Sequence, residues 1–119
     1  MDRKTAGILG EVSAAKFYRK AGYRLLASNF RTRRGEIDLI AEKGNTLVFA
    51  EVKTRAEGSA LLPREAVTPA KQNRIISAAK GYLEKFGITD QQIRFDVIEI
   101  YYSGEEVTRI NQIENAFTA

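Results

Sequence analysis

Within residues 35–55, GEIDLIAEKGNTLVFAEVKTR, Asp38 is followed after twelve residues by Glu51-Val52-Lys53. Two carboxylates and a lysine can handle a phosphodiester. Its hydrolysis needs an activated water, an offset for phosphate charge and a stabilised leaving oxygen. A Mg²⁺ or Mn²⁺ ion held by Asp38 and Glu51 serves the first and helps the second. Lys53 can orient or deprotonate the water and stabilise the transition state. The chain has no histidine and no cysteine. That excludes Ser-His-Asp triads, histidine bases, thiol nucleophiles, disulfides and Cys- or His-ligated metals. Carboxylates, lysine, arginine, hydroxyls and a hard cation remain.

These residues must be gathered by a hairpin. Side chains alternate along a strand. Glu36, Asp38 and Ile40 therefore share one face of the first arm, and Ile37, Leu39 and Ala41 the other. In the second arm Leu47, Phe49, Glu51 and Lys53 lie together, with Val48, Ala50 and Val52 opposite. A type II′ turn at Gly44-Asn45 sets Asp38 opposite Glu51 and Glu36 opposite Lys53. A type I′ turn at Lys43-Gly44 instead sets Asp38 opposite Phe49 and Glu36 opposite Glu51. In both registers the acids share a face. Opposed carboxylates have Cβ atoms about 4.5–5.5 Å apart and repel unless a cation offsets them. An ordinary Glu36–Lys53 ion pair beside two solvated acids is the competing reading.

The rest of the chain supplies a frame. Residues 5–21 read as a helix with Ile8, Leu9, Val12, Ala15 and Phe17 as its apolar stripe and Gly22 at its end. Residues 23–31 read as a strand ending in the basic patch Arg31, Arg33 and Arg34. A polar stretch, 56–66, reads as a mobile loop. Thr68-Pro69 starts a second helix, with Ile75, Ile76, Ala79, Tyr82, Leu83 and Phe86 inward and Gly87 as its stop. Residues 92–101 form a strand buried on both faces. A short strand at 107–110 and a flexible tail at about 111–119 complete the chain. The order α-β-β-β-α-β(-β) predicts one α/β domain over 1–119, a central mixed sheet of about five strands flanked by helices.

The net charge of +4 and pI near 9.5 are compatible with nucleic acid as a partner. No apolar run approaches the ~18 residues of a membrane span, and no signal peptide is visible, so a cytoplasmic protein with no membrane partner is expected.

The motif Asp38…Glu51-x-Lys53 resembles the D…(D/E)-x-K signature of the PD-(D/E)XK nuclease superfamily, with Ile37 where its name has proline. The strings GE at 10–11, GYRLLASNFR at 22–31, GEIDLIA at 35–41, FAEVKTR at 49–55 and RFDVIEI at 94–100 resemble the YraN-like family, small bacterial proteins similar to archaeal Holliday-junction resolvases. The resemblance implies a restriction-endonuclease-like core and a Mg²⁺- or Mn²⁺-dependent endonuclease acting on DNA, branched or junction DNA included. It implies Asp38 and Glu51 as metal ligands, Lys53 as catalytic lysine, Glu11 on the first helix as an added acid at the metal, and Glu36 just behind it. Junction resolvases act as two-fold dimers, which makes a homodimer an arrangement to test.

Arg31, Arg33, Arg34, Arg55, Lys71 and Arg74 are candidates to grip a phosphate backbone, against a solvated basic surface. Arg64 lies near Arg55 in the loop. Arg94 and Asp96 read as a structural pair at the sheet edge, and Tyr18, Tyr23 and Tyr82 as core aromatics. Besides the endonuclease, two functions are open: a non-catalytic nucleic-acid-binding module, and a protein-interaction factor docking through Leu61 and Leu62.

Overall fold

Helix α1 (Arg3–Lys20) starts where the Asp2 carboxylate accepts the Thr5 N–H at 2.7 Å. It stops at Gly22, whose φ of 93° only glycine adopts at no steric cost. The Gly22 N–H reaches Arg19 O and the Tyr23 N–H reaches Tyr18 O, the paired bonds that close a helix C-terminus. The helix buries Ala6, Gly10, Ala14 and Tyr18, a row of residues four apart. The stripe expected from the larger apolar residues is therefore corrected: Ile8 and Val12 are 54% and 48% exposed. Small residues win because they let the helix lie close on the sheet. A Cβ at Gly10 would collide with the Thr54 hydroxyl.

The computed structural model describes residues 1–59 and 67–119. After α1 come β1 (Arg24–Arg31), β2 (Glu36–Lys43), β3 (Thr46–Ala56), α2 (Pro69–Lys85), β4 (Gln92–Ser103) and β5 (Glu106–Phe117). The strands form one mixed sheet in the order β1-β2-β3-β4-β5. Among the described strands only β3 and β4 pair in parallel, and such a pair needs a long crossover, which contains α2. The α/β class and element order expected from the sequence are those observed.

The helices cover opposite faces. On the α2 side Ile37, Ile40, Leu47, Phe49 and Phe95 pack with Ile75, Ala78, Ala79 and Tyr82. On the α1 side Leu39, Ala41, Val48, Ala50, Ile98 and Ile100 pack with Ala14 and Tyr18. Phe86, expected inside, is 56% exposed at the α2 C-cap; Ala78 lies inside with Ile75, Ala79 and Tyr82. No helix among the described residues is long and apolar enough to cross a membrane.

Two further expectations need correction. The short strand at 107–110 and the flexible tail at 111–119 are replaced by β5, which runs to Phe117. Its end is held by the buried Asp96, which is on the interior strand β4 and not at the sheet edge. Asp96 takes both Arg94 donors at 2.8 and 2.9 Å, the Tyr18 hydroxyl at 2.8 Å, Gln112 at 3.2 Å and the Asn115 N–H at 3.0 Å. Asn115 has a φ of 51° within the register shift, and Phe117 then stacks on Phe95 at 5.1 Å. The polar residues of 111–116 concealed this strand. Of the expected loop at 56–66, Ala56 ends β3 and residues 57–58 turn. Ser59 donates its N–H and its hydroxyl to Ala56 O, and residues 60–66, with Leu61, Leu62 and Arg64, lie outside the described residues.

Candidate active site

The β2–β3 hairpin adopts the Gly44-Asn45 register. Lys43 pairs with Thr46, Ile40 with Phe49 and Leu39 with Ala50. Gly44 carries a φ of 58°, the positive value a type II′ turn needs at its first central residue. The ladder ends at Leu39–Ala50, one step short of Asp38 and Glu51. There the Val52 N–H donates to Asp38 Oδ2 at 2.8 Å. β2 continues alone with β1, and β3 alone with β4. The strict alternation expected of β2 breaks at the same place: Ile37 joins Ile40 on the α2 side, not Leu39 and Ala41. Asp38 and Glu51 thus meet across a fork between strands. Glu36, expected to oppose Lys53, pairs instead with Arg31 on β1, at 3.4 Å.

At this fork opens a cleft of about 510 Å³, lined by Glu36, Asp38, Glu51, the loop Arg31–Gly35, Lys71 and Arg74. The loop is tied by its own hydrogen bonds. Thr32 Oγ1 accepts the N–H groups of Arg34 and Gly35 at 3.1 and 3.2 Å, while the Thr32 N–H donates to Gly35 O at 2.8 Å. Gly35 sits so close to the Arg74 carbonyl that a Cβ would collide with it. That approach sets Arg33 and Arg34 beside the first turns of α2. Lys71 is held there by the Thr68 cap, whose hydroxyl accepts the Lys71 N–H at 3.2 Å. Thr32 organises this loop without having stood out in the sequence. Its signal was present: threonine three residues before glycine is a turn pattern, hidden among the arginines.

Lys53 Nζ lies 3.7 Å from Glu51 Oε1. Glu11 lies on the far side of Asp38, lining a second cavity that also touches Asp38. Arg55 is turned toward β4, its Nε 3.2 Å from Glu99 Oε2. The structure therefore gathers Arg31, Arg33, Arg34, Glu36, Asp38, Glu51, Lys71 and Arg74 around one cleft, with Lys53 paired to Glu51 beside it. It leaves Glu11 behind Asp38 and Arg55 at Glu99.

Burial pushes the Asp38 carboxyl up to about 7; the charges of Glu51, Glu11 and Glu36 push the same way, against the Val52 N–H. Burial also raises Glu51, opposed by Lys53 and Lys71. Lys53 is lowered, first by burial and next by Lys71, while Glu51 holds it up. Among the described residues, three acids, Glu51, Glu11 and Glu36, act on Asp38 together. Hard oxygen donors grouped in this way suit Mg²⁺ or Mn²⁺. Among the described residues no three carboxylates converge closely enough to hold a metal by themselves. Two suffice for Mg²⁺, which fills its shell with water and phosphate oxygens.

The profile of the uncharacterised protein family UPF0102 matches residues 10–100, a span containing Glu11, Asp38, Glu51 and Lys53. The chain is 44% identical over 119 residues to a UPF0102 protein of Caldanaerobacter subterraneus subsp. tengcongensis, covering 98% of each chain. It is 45% identical over 114 residues to one of Geobacter sulfurreducens, covering 96% of this chain and 89% of the relative. A UPF0102 protein of Chlorobium phaeobacteroides is 50% identical over 99 residues, 83% of this chain and 78% of its own.

Proposed function

The chain belongs to the uncharacterised UPF0102 family, and we propose that it is a divalent-metal-dependent phosphodiester hydrolase of the cytoplasm, acting on nucleic acid and on DNA first of all. One observation carries this reading: Asp38 and Glu51 line the same cleft as Arg31, Arg33, Arg34, Lys71 and Arg74. Acids that repel a phosphate stand where cations attract one, an arrangement suited to a metal and a phosphodiester together.

Asp38 and Glu51 would hold the ion, which when bound supplies a Lewis acid and a more acidic water. Val52 fixes Asp38 through its N–H. Lys53, kept beside Glu51 and lowered by its surroundings, orients the attacking water or takes its proton, and offsets charge building on the phosphate. The cleft's arginines and Lys71 hold flanking phosphates. Branched DNA as substrate and a two-fold dimer rest on the superfamily resemblance, and belong among the first tests.

The test is incubation of purified protein with labelled duplex, single-stranded and branched DNA in Mn²⁺, in Mg²⁺ and in EDTA. Cleavage is expected with metal alone, and is expected to vanish in Asp38→Ala, Glu51→Ala and Lys53→Ala. Failure to cut all three substrates overturns the hydrolase.

A second reading, a binding module without hydrolysis, rests on the cations Arg31, Arg33, Arg34, Lys71 and Arg74 that line the cleft and can grip a phosphate backbone without a metal. It predicts salt-dependent binding that survives Asp38→Ala and weakens when Arg33 and Arg34 are neutralised, with no cleavage in any metal.

A further inference from the structure

Asp38 forms part of the wall of two cavities. The second lies between α1 and β1, encloses about 450 Å³ and is lined by Ile8, Val12, Leu25, Leu26 and Ala27 among others. That volume is in the range of small-ligand sites, which are mostly apolar with a few placed polar groups. Ile8 and Val12 stay largely exposed along it, although the fold had the Ala6–Tyr18 row to bury instead. Its polar groups are Ser28 and Asn29 on β1, the acids Asp38 and Glu11, and, one and two turns further along α1, the cations Lys16 and Arg19.

Asn29 is the unusual element. Its φ of 51° is left-handed, a conformation asparagine tolerates better than other side chains. It sits in an edge strand, where pairing with β2 passes from Ser28–Leu39 to Phe30–Ile37. Among the described residues neither Ser28 nor Asn29 uses its side chain in a hydrogen bond. Both side chains are exposed at the cavity, so the left-handed asparagine presents its amide to whatever enters there, a backbone outlier of the kind found at ligand sites.

We propose, building on the hydrolase reading above, that this cavity receives the base of an unpaired nucleotide next to the phosphate at Asp38. The apolar walls cover the faces of the ring, a sequence-tolerant contact. The Asn29 amide both donates and accepts, as does the Ser28 hydroxyl, so the pair can meet the edge of an unstacked base. Lys16 and Arg19 offset the adjoining phosphate. Position and charge select this occupant. A strand lying along Arg31–Arg34 reaches the cavity by passing Asp38, and it carries the anions both cations require. A second copy of the chain would bring Lys16 and Arg19 against their own counterparts. An apolar peptide would leave both unmatched. A fully paired duplex has no base free to enter, so the substrate class is nucleic acid with an unpaired nucleotide at the cut.

The test measures binding of the full chain in EDTA, where metal-dependent cleavage cannot intervene. The probes are a matched DNA duplex and the same duplex with one unpaired 2-aminopurine. The unpaired probe is expected to bind about tenfold more tightly, in the lower part of what stacking one base contributes, with a change in 2-aminopurine fluorescence. Val12→Trp fills the cavity from an exposed position, and Asn29→Gly keeps the left-handed backbone while removing the amide. Each is expected to bring the ratio of affinities below about threefold. A wild-type ratio near one, a ratio unmoved by both variants, or no binding of either probe overturns the pocket. So does a dimer in sedimentation that Val12→Trp dissolves, because a second copy then fills the cavity. Cleavage in Mn²⁺ with a ratio near one removes the pocket and leaves the hydrolase. A high ratio without cleavage supports the pocket and removes the hydrolase.

Discussion

The Asp38 carboxylate accepts the backbone N–H of Val52 at 2.8 Å, just where the ladder between β2 and β3 has ended. A side chain thus does what the next backbone carbonyl of a continued ladder would do. The bond occupies one lone pair and fixes the carboxylate. It leaves the rest of its acceptor capacity at a half-buried fork where Glu51, Glu11 and Glu36 all oppose its charge.

This makes Asp38 a stability liability with a definite pH window. Its folded pKa of about 7 lies above the ordinary 3.8. Between those values the folded protein holds a proton that the unfolded chain has released, so stability falls as pH rises through the window. Asp38→Asn keeps the bond to Val52 and cannot ionise. It is expected to raise Tm at pH 8, by the equivalent of about 1–3 kcal/mol, with the gain shrinking toward pH 5. Mn²⁺ at pH 8 should raise the Tm of the wild type and not of the variant. Thermal melts at both pH values check this; a variant less stable than wild type at pH 8 contradicts it.

The loop arginines should act through phosphate charge alone. Arg33→Gln with Arg34→Gln is expected to weaken DNA binding whatever the sequence. The slope of log affinity against log salt should become shallower by about 1–2, near one for each phosphate that is no longer neutralised. An unchanged slope would place both arginines outside the interface.

Gly35→Ala sets a methyl group against the Arg74 carbonyl. Backbone cannot step aside as a side-chain end can, so the loop or α2 must move. The expected cost is about 1–3 kcal/mol in urea unfolding, with weaker DNA binding because Arg33 and Arg34 part from Lys71 and Arg74. Gly44→Ala, strained by the positive φ of its turn but with open space around it, should cost stability while leaving DNA binding nearly unchanged, and so separates the two effects.

Asp96→Ala removes the acceptor of Arg94, Tyr18, Gln112 and the Asn115 N–H together. Removing one partner of a buried ion pair costs about 3–5 kcal/mol. Hydrogen exchange is expected to accelerate most in residues 111–117 of β5. Uniform acceleration across the sheet would show that Asp96 does not hold that strand in particular.

The legibility of this chain follows from how local each feature is. The hairpin could be narrowed to two registers because a two-residue turn fixes each, and Thr68-Pro69 could be read because a helix start is written in adjacent residues. The buried face of α1 could not. Hydrophobic pattern favours large side chains, whereas a helix lying close on a sheet needs small ones, and that need is set by Thr54 far along the chain. The extent of β5 was hidden for a similar reason. Its polar residues are held by Asp96 on another strand. The fork at Asp38 escaped notice because alternation was carried past the last paired residues. Glu36 and Ile37 took up positions that follow β1 instead.

The two walls of the cleft also differ in when they can form. Asp38 and Glu51 come from one hairpin, and a β-hairpin forms in about 1–10 μs. Lys71 and Arg74 arrive only when α2 docks, a step tied to the parallel pairing of β3 with β4, and such distant pairings are slow. During folding the acids are therefore brought near each other, with Lys53 beside Glu51, before Lys71 and Arg74 join them. Docking of α2 is the event that completes the cationic wall of the cleft, and any change that delays it prolongs the interval in which Lys53 and the arginine loop face the acids without Lys71 and Arg74.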